Sequence, residues 1–325
     1  MQNFIVFSLF FILAGITSYS AMQLSNASEK FEQYSKLPPI LIGAILAVAT
    51  SLPEFATSLT SNLILHQPTT TAANPIGSNM FNIVILALMN IIFYKKTVNY
   101  YLKNNNNVFN TIVIIMYLLT FTVALTPTTS PAYQYMYIGN VNIITIIFIL
   151  LYCLGLKLSK DMDQEEQTHE NNPQELRKAI IRFAIYSVVV IVSSYFLSLV
   201  ADKIIAITGL ASGFVGAVFL GIATSLPELI SAFLLCKHGS YNIAASNVIG
   251  SNLFNFIIVT INDVVSKQPL WSQVDSSVYP LYFYGFVLSC IVFFMISFKT
   301  KNKVLNLLLP ILSIGIYIYY LVSNT

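Results

Sequence analysis

The chain has 325 residues, 56% of them hydrophobic and 9% charged, and a mean hydropathy of +0.73; so much apolar surface exceeds what one soluble core buries and points to a polytopic membrane protein. The net charge of +3 comes from 16 basic and 13 acidic residues, and the basic ones are scattered through short loops with no run or face of their own, which excludes nucleic-acid binding. Three cysteines, Cys153, Cys236 and Cys290, lack Cys-x-x-Cys spacing and mostly lie in apolar runs, so they read as small core residues.

The first apolar segment, about 4–24, has no basic run before it and no clear cleavage pattern after it, so it is expected to stay as the first span. Nine further apolar windows follow, at about 38–65, 71–93, 108–126, 132–156, 179–201, 206–235, 241–262, 278–298 and 304–322, near the length that crosses a bilayer as helix. The expected fold is therefore all-α, with ten transmembrane helices: five in 1–156, a polar linker over 157–178, and five in 179–325. The linker carries Asp161, Asp163, Glu165, Glu166, Glu170 and Glu175 among Lys and Arg and is too short to be a regulatory domain. Sorted by loop, Lys30, Lys36, Lys95, Lys96, Lys103, Lys157, Lys160, Arg177, Lys178, Arg182, Lys237, Lys299, Lys301 and Lys303 fall on one side, and only Lys203 and Lys267 on the other. Positive loops stay cytoplasmic, so both termini are expected outside and the linker inside, in the plasma or inner membrane. Tyr133, Tyr135, Tyr137, Tyr279, Tyr317, Tyr319 and Trp271 are expected as interfacial anchors.

The two halves share sequence. Residues 47–63 read AVATSLPEFATSLTSNL and residues 221–237 read GIATSLPELISAFLLCK; NPIGSNMFN from Asn74 is answered by NVIGSNLFN from Asn247. The offset is 174 residues from Glu54 to Glu228 and 173 from Asn74 to Asn247. The copies fall in spans 2–3 and 7–8. Five spans per repeat is an odd number, so the second copy enters the membrane inverted, as in secondary transporters that build one site at the midplane.

Within the expected spans the acids are Glu54 and Glu228, at equivalent repeat positions. A charged side chain at a helix centre costs about 2.5–3.5 kcal/mol, and no Lys or Arg lies at that depth to offset it, Arg182 being at the mouth of its span. Protonation, hydrogen bonding or a bound cation are the ways left to satisfy the pair. Pro53 and Pro227 lie mid-helix, where each lacks an N–H and collides with the carbonyl one turn earlier at a cost of about 3 kcal/mol, which frees the carbonyls of Ala49 and Ala223. Broken helices are tolerated at bilayer depth where they line a cavity or are buried in protein, and freed carbonyls there can hold cations. Thr50, Ser51, Thr224 and Ser225 add hydroxyls one turn before each Glu. Ser78 and Asn82, like Ser251 and Asn255, are four apart and share a helix face. Such a hard, all-oxygen set suits Ca²⁺ or Na⁺ and disfavours soft metals. Gly77 and Gly250, with the ladders Gly43/Ala47 and Gly213/Ala217/Gly221, are expected to let helices approach closely. Asn74 and Asn247 are expected to hydrogen-bond the broken helices. His66, His169 and His238 have no metal-ligand spacing.

At these residues the chain resembles the calcium/cation antiporter superfamily, above all the sodium/calcium exchangers and their bacterial relatives. The matching signatures are Thr50–Glu54 with Gly77–Asn82 and Thr224–Glu228 with Gly250–Asn255. The resemblance implies alternating access at a site formed by spans 2, 3, 7 and 8. It implies as ion ligands Thr50, Ser51, Glu54, Ser78, Asn82, Thr224, Ser225, Glu228, Ser251 and Asn255, with the backbone oxygens of Ala47 and Gly221. Asn255 stands where some members, potassium-dependent exchangers among them, carry Asp, which speaks against potassium dependence. Proton-coupled calcium exchangers carry a different signature without Ser-Leu-Pro-Glu, so sodium coupling is favoured.

The expected function is exchange of Ca²⁺ for Na⁺, with H⁺- or K⁺-coupled exchange as the alternative. No cofactor and no enzymatic activity are expected; the partners are the transported ions and the lipid bilayer. Two rivals are weaker. A cation channel commonly builds its filter by oligomeric symmetry, whereas one chain here supplies both halves. An intramembrane hydrolase needs a nucleophile–base pair, and no spanning His accompanies the serines.

Overall fold

The computed structural model describes residues 2–34, 49–94, 104–126, 129–160, 172–239, 241–297 and 303–324. Nearly all of them are helical. The long apolar helices are α1 (Gln2–Tyr34), α2 (Leu52–Leu63), α3 (Pro68–Ile92), α4 (Asn104–Leu125), α5 (Ile143–Lys160) and α6 (Pro173–Thr208). They continue with α7 (Ser212–Thr224), α8 (Leu226–Lys237), α9 (Tyr241–Val265), α10 (Tyr279–Ser297) and α11 (Lys303–Ser323). Among the described residues, seven helices are long and apolar enough to cross a membrane, and the bent pair α7 and α8 brings the number to eight.

Local chemistry sets the ends. The Asn172 side chain accepts from the N–H of Glu175 and caps α6 at its start. Gly209, at φ 70, ends α6 in a left-handed conformation that glycine adopts without steric cost. Several boundaries differ from the periodicity of the sequence: α1 runs on to Tyr34 past the end expected at 24, and α6, expected at 179–201, spans Pro173–Thr208 and so begins inside the expected linker. The window expected at 132–156 opens with a helical turn, Pro131–Gln134, and a hairpin pairing Tyr137–Ile138 with Val141–Asn142, so α5 starts only at Ile143. The window expected at 206–235 is two helices with a break at Ser225. Helix α9 runs past the expected end at 262 to Val265, so Asp263 is helical and buried. The aromatic anchors divide: Tyr135 and Tyr319 are exposed, whereas Trp271, Tyr133 and Tyr317 are buried in the apolar core.

Helix α3 sits at the centre, packed by α2, α7, α9, α10 and α11, while α1 lies along α6 at the side. The main core gathers Met80 and Ile83 of α3, Met116 and Tyr117 of α4, Phe148 of α5, Phe256 of α9 and Leu288 of α10. The Tyr117 and Phe256 rings meet edge to face at 5.0 Å, a favoured aromatic geometry. A second cluster joins Phe10 and Ala14 of α1 to Leu197 and Ala201 of α6 and to Val215, Leu220 and Ala223. Thr17 donates to Ser193 at 2.8 Å across α1 and α6. Outward-facing apolar side chains such as Phe4, Phe11, Val188 and Val304 are exposed, as a lipid-facing surface requires.

Candidate functional site

The site is built where the turn before α2 and the break between α7 and α8 meet the centre of the bundle. Before α2 the chain turns at Ser51 (φ −101, ψ 15), and before α8 it turns at Ser225 (φ −92, ψ 6). Pro53 and Pro227 then lie in the first turn of a new helix, where a missing N–H does little harm. Glu54 and Glu228 follow, also in the first turn, where the positive end of the helix dipole favours a carboxylate. Axes α7 and α8 bend by 42°, and Val215–Leu220 of α7 is a π-helical stretch, a feature frequent at functional sites. The carbonyl of Ala223, left without a donor by Pro227, accepts from the Ser18 hydroxyl of α1 at 3.2 Å.

Both carboxyl groups are buried, Glu54 at 1% and Glu228 at 2% exposure, and they interact with each other electrostatically. Ser225 donates to Glu54 Oε1 at 3.2 Å, and the Thr224 hydroxyl faces the same carboxyl group. Ser78 donates to the Gly221 carbonyl at 3.1 Å and lies 3.4 Å from the Thr224 hydroxyl. Thr50 and Glu228 line one cavity of about 220 Å³ together with Pro227, Ser231 and Asn247. Asn74 donates to Thr57 Oγ1 at 2.5 Å, to Ser58 Oγ at 3.1 Å and to the Glu54 carbonyl at 3.3 Å, which ties α3 to α2.

Close backbone approach makes these bonds possible. A Cβ on Gly77 would lie 2.3 Å from both the Cα and the carbonyl oxygen of Ala217, and one on Gly221 would lie 2.9 Å from the Ser78 nitrogen. Gly250 meets nothing within 4 Å among the described residues; Gly43 and Ala47, in the matching stretch of the first copy, lie outside them. Ser51 and Ser251 are buried.

Several buried oxygens have no hydrogen-bond partner among the described residues: Glu54 Oε2, Glu228 Oε2, Asn74 Oδ1, Asn82 Oδ1, Asn255 Oδ1 and Ser251 Oγ. Leaving such acceptors unmet in a dry interior is costly. A hard cation would satisfy them, and two carboxylates with amide and hydroxyl oxygens are a donor set of that kind. No group of three His, Cys, Asp or Glu is found among the described residues, so the set is not one for a soft transition metal.

Two features escape a reading of the residues alone. Asn79 and Asn252, at matching positions in the two copies, join α3 to α9: Asn82 donates to Asn252 Oδ1 at 2.9 Å and Asn255 donates to Asn79 Oδ1 at 2.8 Å. The repeated Gly-Ser-Asn triplet was the available signal. Asp263 is a third buried acid, but its Oδ2 accepts from the Asn142 backbone at 2.9 Å and from Thr145 at 2.6 Å, so it holds the start of α5.

A family model described as sodium/calcium exchanger protein matches residues 5–159 and 178–325. The inner membrane protein YrbG of Escherichia coli K12 is 26% identical over 254 residues, 74% of each chain. Among solved structures, the H⁺/Ca²⁺ exchanger CAX superposes with a TM-score of 0.67 at 16% identity, covering 98% of this chain and 90% of its own. The sodium-calcium exchanger NCX_Mj superposes with a TM-score of 0.60 at 20% identity, covering 96% of this chain and 98% of its own. At these identities the structural likeness is one of fold.

Proposed function

The chain belongs to the sodium/calcium exchanger protein family, and we propose that it is a secondary antiporter that exchanges Ca²⁺ for Na⁺ by alternating access. In this reading the polypeptide crosses the cell membrane ten times, as two inverted five-helix repeats (1–156 and 179–325) joined by a cytoplasmic linker (157–178), with both termini outside. The observation that carries it is the buried pair Glu54 and Glu228 beside donor-less amide and hydroxyl oxygens. Two negative charges balance one Ca²⁺ or two Na⁺, and because either load needs the same oxygens, occupancy is exclusive. Exclusive occupancy gives exchange. The proposed ligands are Thr50, Ser51, Glu54, Ser78, Asn82, Thr224, Ser225, Glu228, Ser251 and Asn255, with the carbonyls of Ala47 and Gly221. A third Na⁺ on neutral oxygens makes each cycle move one net charge, worth about 2.3 kcal/mol per 100 mV.

Proton coupling is the second reading. With no Lys or Arg to neutralise them, the two carboxyl groups can take protons in place of a metal, and the likeness to an H⁺/Ca²⁺ exchanger fold accords with this. The test is Ca²⁺ uptake into proteoliposomes under separately imposed Na⁺, H⁺ and K⁺ gradients. Uptake driven by an outward Na⁺ gradient is the expected result; uptake driven by protons alone replaces sodium coupling with the second reading, and flux that needs no counter-ion means a channel.

A further inference from the structure

A side-chain amide presents an oxygen that attracts a cation and an NH₂ that repels it, so an amide ligand works only if something fixes which end faces the ion. Asn82 and Asn255 are 1% exposed, and Asn79 and Asn252 are 0% and 2% exposed, so water is not the partner that fixes them. We propose that Asn79 and Asn252 are positioning residues that hold the NH₂ groups of Asn82 and Asn255 and so leave the two amide oxygens free for the transported ion. The proposal rests on the reading of this site as a cation site.

On the Asn82 arm the direction of the bond follows from a group that cannot turn round. The backbone carbonyl of Asn79 can only accept, and it takes a hydrogen bond from Asn252 Nδ2 at 3.4 Å. That sets the Asn252 amide with its oxygen toward Asn82, whose Nδ2 donates to it at 2.9 Å. Asn82 Oδ1 is then the end left over, and it has no donor. Were the Asn82 amide reversed, two oxygens would meet at hydrogen-bond distance, and correcting that by turning Asn252 would set its oxygen against the Asn79 carbonyl. On the other arm, Asn255 donates to Asn79 Oδ1 at 2.8 Å, and its own Oδ1 has no partner among the described residues; the Asn79 NH₂ has none there either, so this arm is fixed by the one bond alone. The fully buried Tyr117 hydroxyl sits beside the Asn79 amide. Ser78 is one turn from Asn82 on the same face of α3 and reaches Gly221 and Thr224, so the free Asn82 oxygen belongs to the side of α3 that faces the carboxylates. The relay crosses between the two repeats, so each copy orients an amide of the other.

The experiment uses the full-length protein in proteoliposomes with Ca²⁺ as the probe. Asn252→Ala removes the acceptor for Asn82 and is expected to raise the half-saturating Ca²⁺ about tenfold, with maximal rate little changed. Asn82→Asp has two accepting oxygens and no orientation to lose; in that background Asn252→Ala also removes the oxygen that would face the new carboxylate, so it is expected to leave half-saturation unchanged or to lower it. Asn252→Leu, close to Asn in size, carries the same expectation if the alanine variant does not fold, and Asn79→Leu with Asn255→Asp repeats the cycle on the other arm. Equal penalties in both backgrounds mean a packing role and overturn the proposal, as does a wild-type response in Asn252→Ala. If the wild type itself neither binds nor moves Ca²⁺, the cation-site reading falls and the relay with it; if it transports normally and only the cycle fails, the relay alone falls.

Discussion

Glu54 and Glu228 are each the third residue of a helix that begins after a serine turn and has proline as its second residue. The local frame therefore delivers a buried carboxylate to a helix N-terminus twice over. Substitution by glutamine keeps size and the capacity to accept from Ser225 but removes the charge. Glu54→Gln and Glu228→Gln are each expected to weaken Ca²⁺ by at least about a hundredfold, on the scale of roughly 3 kcal/mol for removing one partner of a buried charged set. Calcium titration of the purified variants checks this, and wild-type affinity in either would remove that residue from the site. Both glutamates were legible in the sequence because the repeat marks them. Asp263 was not, because its place inside a helix depends on where α9 ends, and nothing in local apolar periodicity separates 262 from 265. Its carboxylate already holds the start of α5, so burial alone does not make an acid an ion ligand.

At the scale of elements, the contact between α3 and α7 decides the site's dimensions. The Gly77 face meets the Ala217 backbone itself, and backbone cannot move aside as a side chain can. Gly77→Ala is expected to destabilise the protein by about 1–3 kcal/mol and to lower the midpoint of thermal unfolding in detergent. Gly315 in α11 meets nothing within 4 Å among the described residues, so Gly315→Ala is expected to be neutral or to stabilise by up to about 1 kcal/mol through helix propensity. A reversed order of the two midpoints would mean that α3 and α7 have slack. The glycine-alanine ladder was visible as a pattern, but which backbone it touches was not, because small residues say only that something comes close. The proline break was equally visible. The π-helical stretch before it and the Ser18 hydroxyl on the freed Ala223 carbonyl were not, since both depend on how α1 and α7 pack.

For the whole molecule, the cavity beside Glu228 runs from Thr50 and Asn247 to exposed Asn26 and His238. Lys30, one turn beyond Asn26 on α1, attracts Glu175 at the start of α6, so the mouth lies on the side where the linker enters α6. On the opposite side Asn62 donates to the Asn262 carbonyl and side chain at 3.0 Å, Thr69 donates to Asp275 at 3.0 Å, and Gln67 donates to Asp202. The described residues thus leave a cavity at the linker end and make hydrogen bonds across the other, where a second cavity of about 290 Å³ lies beside Asn62 and Ser266. In a cysteine-free background, Ser231→Cys, one turn from Glu228, is expected to react with a membrane-impermeant thiol reagent from the linker side only, and more slowly in Ca²⁺. Labelling from the opposite face would contradict this assignment of the open side.

Composition and the repeated motifs alone determined that the chain is a many-span membrane protein whose two copies of one frame each carry a buried acid, a proline break and oxygen donors. These features are legible because bilayer insertion constrains every residue of a span and because the repeat writes the same motif twice. Only tertiary structure decided which oxygens meet, that hydrogen bonds join Asn79 to Asn255 and Asn252 to Asn82 across the repeats, and where the cavity beside Glu228 lies. Those depend on distances between helices far apart in the chain, and one-turn periodicity along a single helix carries no information about its partner.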